Sequence, residues 1–298
     1  MFSIDEFIIA VFCCVDDLLL AITEGKPICT RGFAPTLSDS EVITMEIVAE
    51  YQGIDTDKGI WQYFQRHWQS WFPKLTSRSS FTRQAANLWQ YKEHLQRSLA
   101  SQLGAFQDDL HLVDGLPIPL CCFSRAPRCR SFQGQADYGY CAAKKQTYYG
   151  FHGHLLISGS GVITHFTLTP ANGSEREALW EMVGSIQGGL IGDKGYLSQS
   201  LRQDLQKQGL ALQTALRCNM SDTRGAQYLR LLKRTRRLIE TVIGQLTQRF
   251  HIEKVWARDL WHFTSRLNRK ILAHTVCCWL NRDNPDLLQF EALVSNQI

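Results

Sequence analysis

The chain has 298 residues, of which 44% are hydrophobic and 11% aromatic, and its formal net charge at pH 7 is +4. This composition supports a substantial core and favours a soluble, globular protein over a low-complexity one. The first apolar stretch, residues 7–15, follows two acidic residues, Asp5 and Glu6, where a signal peptide would have basic ones. Two further acids close it, which excludes a signal peptide and a membrane span. We therefore expect a cytoplasmic protein with no membrane partner.

Charge is distributed unevenly along the chain. Residues 1–60 hold three basic and eleven acidic side chains, a balance of −8, which leaves +12 for the remaining residues. Lys and Arg side chains that neutralise phosphates release condensed counterions when a nucleic acid binds. The basic body of the chain therefore favours a polyanionic partner.

The first part of the chain, to about residue 107, has helical patterns only. The predicted helices span residues 5–22, 38–51, 59–71 and 79–103. The second begins with a capping box, Ser38 followed by Glu41. Short helices joined by tight turns are typical of helix-turn-helix modules, so this region is a candidate DNA-binding region.

The fourth predicted helix carries the candidates for reading DNA bases. Arg83, Gln84 and Asn87 lie near its start, where a recognition helix presents side chains to base edges. The alternative is an ordinary amphipathic helix with a solvated polar face. The sequence leaves both interpretations open.

From residue 109 onward, strand patterns alternate with helical ones. The predicted strands span residues 110–114, 147–158, 161–169, 189–193 and 210–215. The predicted helices span residues 174–186, 197–208, 224–250 and 259–280. This order indicates an α/β region behind the helical start.

Two of the predicted strands end in an aspartate, Asp114 in the first and Asp193 in the fourth. If these strands are parallel neighbours, both carboxylates lie at one edge of the sheet. Glu240 lies beside the apolar stripe of a long predicted helix, formed by Leu232, Ile239, Val242, Leu246 and Phe250. Clustered carboxylates suit Mg²⁺, and a pair of such ions can catalyse phosphodiester cleavage.

Each of these acids also has a simpler explanation. Asp114 could cap a turn, and Asp193 could be a loop residue. Glu240 could form an ion pair with Arg236, one helical turn earlier. The spacing alone leaves a metal site and these structural roles both open.

Basic residues dominate the segment before Glu240. Against Asp222 alone, residues 217–237 contain Arg217, Arg224, Arg230, Lys233, Arg234, Arg236 and Arg237. A solvated helix face usually mixes charges of both signs, so part of this run, with Lys233, is predicted to contact DNA phosphates, and solubility is the alternative. Arg236 and Arg237 share a helix face with Glu240 and could grip phosphate bidentately.

Several segments carry combinations that are specific to one known family. They are residues 5–8 with 15–17, 111–114, 136–141, 149–151 with His154, 169–171, the Asp-Lys-Gly-Tyr of 193–196, and 236–241. Together, over nearly the whole chain, they resemble the DDE transposases of bacterial insertion sequences, most closely the insertion sequence 982 family.

The resemblance implies a fold and a domain organisation. The expected fold is α/β, a ribonuclease H-like mixed sheet with flanking helices, preceded by an all-helical N-terminal region. A DNA-binding region is expected at residues 1–107, the catalytic domain at 108–252, and a C-terminal helical extension at 253–298.

The resemblance also implies the chemistry. Asp114, Asp193 and Glu240 match the family's catalytic acids, which would bind two Mg²⁺ ions, or Mn²⁺. Water would first cut at the element ends, and the freed 3′-hydroxyl would then attack target DNA. The expected partners are the element's terminal inverted repeats and target DNA, with the protein acting as a homo-oligomer on DNA.

Two features depart from the pattern of related transposases. Those chains commonly have a tyrosine three residues before the arginine and a lysine seven after the glutamate, where this one has Lys233 and Thr247. A hairpin-forming mechanism is therefore not carried over. His152 stands where related chains often have lysine, so no phosphate contact is assigned to it.

Two other functions stay open at this point. A metal-dependent nuclease would use the same fold and acids without strand transfer. A DNA-binding regulator derived from a transposase would need no catalysis, although the presence of all three acids argues against it.

Overall fold

The computed structural model describes residues 1–30, 32–142, 144–216, 220 and 223–295. The chain forms two compact units. One consists of residues 1–99 together with the chain from residue 246 onward, and the other of residues 100–245. The C-terminal residues, predicted as an extension, thus share a unit with the N-terminal helices.

Among the described residues, five helices precede the first strand. They are α1 (Ile4–Thr23), α2 (Asp39–Tyr51), α3 (Asp57–His67), α4 (Arg78–Asn87) and α5 (Trp89–Gln102). Capping boxes begin α1 and α2, and the predicted one at Ser38 and Glu41 is confirmed. Within the described residues, no helix is both long and apolar enough to cross a membrane.

The helix predicted over residues 79–103 is wrong in one respect, because the structure divides it at Leu88 into α4 and α5. The cause is a tertiary contact. The carbonyl of Ala85 accepts hydrogen bonds from Lys92 Nζ and Ser265 Oγ, each at 2.9 Å. Side chains thus satisfy a carbonyl at the end of α4, so the first helix can stop there.

Strands and helices alternate in the rest of the chain. They are β1 (Leu110–Cys122), β2 (Asp137–Cys141), β3 (Gln146–Ser158), β4 (Ile163–Pro170), α6 (Glu175–Met182), β5 (Gly188–Gly192), α7 (Gln199–Lys207), β6 (Leu210–Thr214), α8 (Ala226–Gln248) and α9 (Leu260–Leu280). Strand β2 was not predicted, and β1 extends eight residues beyond Asp114, its predicted end. The extension pairs with β3 as far as Cys122 and Tyr148.

The six strands form one mixed sheet in the order β2-β3-β1-β5-β6, with β4 also paired to β3. β1 is antiparallel to β3 and parallel to β5, which is parallel to β6. This arrangement confirms the predicted α/β fold, a ribonuclease H-like mixed sheet with flanking helices. It also confirms that the two strands leading to the predicted aspartates are neighbours.

Helices α6 and α7 contribute to the core against which β1 and β5 are held. Its buried members include Val113, Leu156, Leu179, Met182, Leu190, Tyr196, Leu201, Leu205 and Leu212. Burial of each large apolar side chain stabilises the unit by about 1.5–3 kcal/mol. The packing fixes the parts of β1 and β5 that lead to Asp114 and Asp193.

The predicted apolar stripe of α8 is confirmed as buried, from Leu232 to Leu246.

The helical unit encloses a network of charged side chains. Arg269 on α9 is fully buried, and its guanidinium contacts Glu50 Oε1 at 2.6 Å and Asp57 Oδ1 at 2.9 Å. Lys270 Nζ lies 2.9 Å from Glu50 Oε2, and Lys92 Nζ lies 2.5 Å from a carboxylate oxygen of Glu46. Because desolvated charges need partners, these ion pairs fix α9 against α2 and α3, and α5 against α2.

We expect Arg269→Leu to lower the free energy of unfolding by about 3–5 kcal/mol, because it leaves buried carboxylates without their cation. The matched control is Arg97→Leu, which removes an exposed arginine of α5 in the same unit. Chemical denaturation monitored by circular dichroism measures both. Equal, small losses in the two variants would contradict a role for the network in stability.

Candidate active site

Asp114 and Asp193 lie at matching positions just beyond the parallel pairing of β1 with β5. The last paired residues of the parallel strands β1 and β5 are Leu112 and Ile191. Each aspartate follows its strand's last paired residue by two positions. Neighbouring strands are about 4.8 Å apart, so the two carboxylates lie close to each other.

The guanidinium of Arg236, on α8, lies between these two carboxylates. Its Nη2 is 3.6 Å from Asp114 Oδ2, and its Nη1 is 3.4 Å from Asp193 Oδ1. Both distances exceed the roughly 2.7–2.9 Å of a charge-assisted hydrogen bond, so these contacts are loose ion pairs. Sequence reasoning paired Arg236 with Glu240 or with phosphate, whereas the structure gives it two aspartates.

The backbone that follows each aspartate orients its carboxylate. The N–H of Gly115 donates to Asp114 Oδ1 at 2.8 Å, and the N–H of Lys194 donates to Asp193 Oδ1 at 2.5 Å. A Cβ at position 115 would collide with Nε2 of His152, so the His152 ring would have to move. Glycine at this point of β1 therefore leaves room for that ring beside Asp114.

Burial raises the pKa of Asp114 to about 6. The Gly115 N–H and the Arg236 guanidinium act in the opposite direction, and the negative charges of Asp193 and Glu240 raise the pKa further. Glu240 therefore lies within electrostatic range of Asp114. A carboxyl with this pKa is poised to lose its proton when a cation approaches.

Glu240 lies on α8, one turn after Arg236, and its side chain is exposed. Among the residues that the structure describes, no group of three His, Cys, Asp or Glu side chains could hold one metal ion. The three predicted ligands are therefore near one another but do not form a finished coordination shell. The guanidinium of Arg236 lies between two of these ligands, Asp114 and Asp193.

Sequence reasoning missed Glu175, the first residue of α6. Burial raises its pKa, and the charges of Asp114 and Asp193 raise it further, so this carboxylate lies near both aspartates. In the sequence it was one of two acids at the start of a predicted helix, where an acid is usually explained by the helix dipole. The sequence signal that could have identified Glu175 was its position: it follows Gly173 by two residues and comes shortly after Thr169–Ala171, a segment of the family resemblance.

The predicted phosphate-binding residues of α8 differ in their surroundings. Lys233 and Arg237 are exposed, and with Arg230 and Arg234 they form a basic stripe at spacings of three and four residues. This stripe, residues 230, 233, 234 and 237, leads along α8 toward Glu240. Of the predicted segment, Arg217 and Asp222 lie outside the described residues.

The predicted base-reading residues lie in the helical unit, on α4. Arg83 and Asn87 are exposed, but Asn87 is the last residue of the helix. Gln84 donates its amide hydrogens to the carbonyl of Leu37 at 2.9 Å and to Asp39 Oδ1 at 2.7 Å. The Gln84 amide thus holds the start of α2, while Arg83 and Asn87 face solvent.

Comparison with known proteins gives three findings. Residues 105–260 match a family model described as "Transposase DDE domain". A solved structure, the piggyBac transposase synaptic complex with hairpin DNA, matches with 10% sequence identity and a TM-score of 0.49, over 98% of this chain and 78% of that one. No curated protein matches the chain.

The raised pKa of Asp114 predicts an effect on stability. An acid whose pKa is higher in the folded protein binds more protons there, so stability falls as pH rises between the unfolded and folded values. For Asp114 these values are 3.8 and about 6. We therefore expect Asp114→Asn to raise the free energy of unfolding of the metal-free protein at pH 7.5 by about 1–3 kcal/mol, and to change it little at pH 4.

Urea unfolding in the presence of a chelator measures this effect at both pH values. Asp204→Asn, which removes an exposed carboxylate of α7, serves as the control and should show no such pH dependence. A loss of stability at pH 7.5 in Asp114→Asn would contradict the account of this carboxyl.

Proposed function

The chain belongs to the transposase DDE domain family, whose model matches residues 105–260, and on this basis we propose that the protein is a DNA transposase. It cleaves at the inverted-repeat ends of an insertion sequence and joins them to target DNA. The observation that carries the proposal is the pair Asp114 and Asp193, each two residues beyond the parallel pairing of β1 with β5, with Glu240 in electrostatic range of Asp114. DDE transposases generally use divalent metals.

The chemistry of these side chains suits such a metal. Asp114, Asp193 and Glu240 offer the oxygen ligands that Mg²⁺ and Mn²⁺ prefer. The Arg236 guanidinium already stands between the two aspartates, so a positive charge is stabilised at that place. Two divalent ions held by these carboxylates would supply the charge neutralisation and activated oxygen that phosphoryl transfer needs.

The residues of the chain itself bind and orient the DNA in this proposal. The exposed basic stripe of α8 leads toward Glu240, so phosphates held by Lys233 and Arg237 would place the scissile bond near the acids. Arg236 would leave the aspartates and contact the phosphate, because a bidentate contact is stronger than its present loose ion pairs. Arg83 and Asn87 are proposed contacts to the inverted repeats, with the protein acting as a homo-oligomer in the cytoplasm.

Two alternative functions make different predictions. A nuclease on the same fold would cut but never join strands, so supplying pre-cleaved ends and target DNA separates it from a transposase. A DNA-binding protein without catalysis is favoured by one observation, the position of the Arg236 guanidinium between the two aspartates. Such a protein would bind the element ends and cut nothing with either Mg²⁺ or Mn²⁺.

We expect Asp114→Asn, Asp193→Asn and Glu240→Gln each to slow strand cleavage by about 1000-fold or more, since each removes a metal-binding charge worth several kcal/mol in the transition state. The assay uses DNA that carries the inverted repeats flanking the coding region. Binding of these ends should persist in all three variants.

Asp204→Asn is the control for these variants, because its carboxylate is exposed on α7 and pairs only with Lys207 among the described salt bridges. It should cut as fast as the unaltered protein. Cleavage within tenfold of normal in any of the three acid variants would remove that residue from the catalytic set.

We expect the double substitution Lys233→Ala with Arg237→Ala to weaken DNA binding and to reduce the slope of log K against log salt by about 2, since two phosphate contacts are lost. Lys207→Ala with Arg202→Ala, on α7 in the same unit, removes the same charge and is the control. Fluorescence anisotropy over a salt series measures both. An unchanged slope in the α8 variant would exclude this stripe as a DNA contact.

A further inference from the structure

Glu175 is held against the loop that follows Asp193. A Cβ on Gly195, two residues after Asp193, would collide with Glu175 Oε2, so the carboxylate occupies the space that a side chain would fill. The neighbouring Arg176 donates from Nε to the carbonyl of Gly195 at 3.2 Å and from Nη2 to that of Leu197 at 3.0 Å. These bonds tie the first turn of α6 to this loop and fix where Glu175 can lie.

His152 connects Glu175 to the other aspartate. Its Nε2 is 4.0 Å from Glu175 Oε1 and abuts Gly115, the residue after Asp114. The ring stacks on His154 with centroids 4.9 Å apart and planes 9° apart. A ring of contacts thus runs from Asp114 through Gly115, His152, Glu175 and Gly195 to Asp193, and Arg236 closes it.

Tyr196 places a buried polar group within electrostatic range of these acids. Its side chain is completely buried, and its hydroxyl has no hydrogen-bond partner among the described residues. Burial, followed by the charges of Glu175, Asp114 and Asp193, raises the pKa of this hydroxyl. A buried donor without a partner is unfavourable, and a ligand or its bound water would satisfy this hydroxyl.

We propose that Glu175 is a fourth carboxylate of the metal site and binds the divalent cation together with Asp114 and Asp193. The inference rests on the proposed function, since it assigns a further ligand to the same metal. The cation takes the place of the Arg236 guanidinium. Glu240 is exposed in the metal-free protein and brings no oxygen to the two aspartates, and Glu175 supplies one instead. The His152 imidazole borders this carboxylate, with Nε2 4.0 Å from Glu175 Oε1.

The test is a Mn²⁺ titration of the full-length, chelator-treated protein without DNA at pH 7.5, in which electron paramagnetic resonance reports free Mn²⁺. Glu175→Gln, which keeps the size of the side chain, should weaken Mn²⁺ binding by about tenfold or more. Glu177→Gln is the matched control, because Glu177 is exposed on the same turn of α6 and should bind as the unaltered protein does.

Glu175→Asp separates coordination from a simple field effect. It keeps the charge but withdraws the oxygens by one methylene, so coordination predicts weaker binding for this variant as well. If Glu175→Asp binds Mn²⁺ as tightly as the unaltered protein, direct coordination by Glu175 is overturned.

Asp114→Asn distinguishes this inference from the proposed function. If Asp114→Asn loses Mn²⁺ while Glu175→Gln retains it fully, Glu175 is not a ligand and the proposed function stands. If the unaltered protein binds no Mn²⁺, the metal site of the proposed function fails, and the inference fails with it.

A measurement on the unaltered protein covers the case in which a variant does not fold. Fe²⁺ bound at the site generates hydroxyl radicals with peroxide and cuts the nearby backbone. Cuts are expected next to Asp114, Asp193 and Glu175. Cuts at the two aspartates without any near residue 175 would overturn the inference.

Discussion

Two adjacent, half-buried carboxylates, those of Asp114 and Asp193, require a positive charge beside them, and the arrangement of the site follows from this requirement. Asp114 and Asp193 lie at matched positions just beyond the parallel pairing of β1 with β5, and Arg236 provides that charge from α8. Burial still raises the pKa of Asp114 to about 6, so the arginine compensates the carboxylates only in part. A divalent cation carries more charge than a guanidinium and can bind both carboxylates directly, which makes this edge of the sheet suited to metal.

The sheet and its helices produce this arrangement through ordinary packing. The pairing of β1 with β5 sets the level of the two aspartates, and the buried side of α6 and α7 holds those strands in place. The stripe on α8 that buries Ile239 and Val242 fixes the rotation of that helix. Arg236 and the basic stripe therefore have defined positions on α8, one at the acids and the other exposed.

Local sequence patterns predicted the secondary structure that depends on residues close together in the chain. The apolar runs before Asp114 and Asp193 gave both strands, and the family resemblance gave the mixed sheet. The length of β1 was missed because Pro117 and Pro119 interrupt its pattern. Beyond Leu112 the paired residues of β1 face only β3, so a strand with one open side can accept prolines that lack an N–H.

Features that depend on contacts distant in sequence were not predictable. The break between α4 and α5 arises from Lys92 and from Ser265 on α9, which no local pattern reveals. Burial of Arg269 requires three acids from α2 and α3. Glu175 looked like an ordinary first-turn acid until the fold placed it beside the loop after Asp193.

The most direct test of this account is a crystal structure of the protein soaked in Mn²⁺, with anomalous scattering to locate the metal. The account predicts an anomalous peak between the carboxylates of Asp114 and Asp193, with the Arg236 guanidinium displaced from between them. A guanidinium that stays between the aspartates at saturating Mn²⁺, with no peak at either carboxylate, would contradict it.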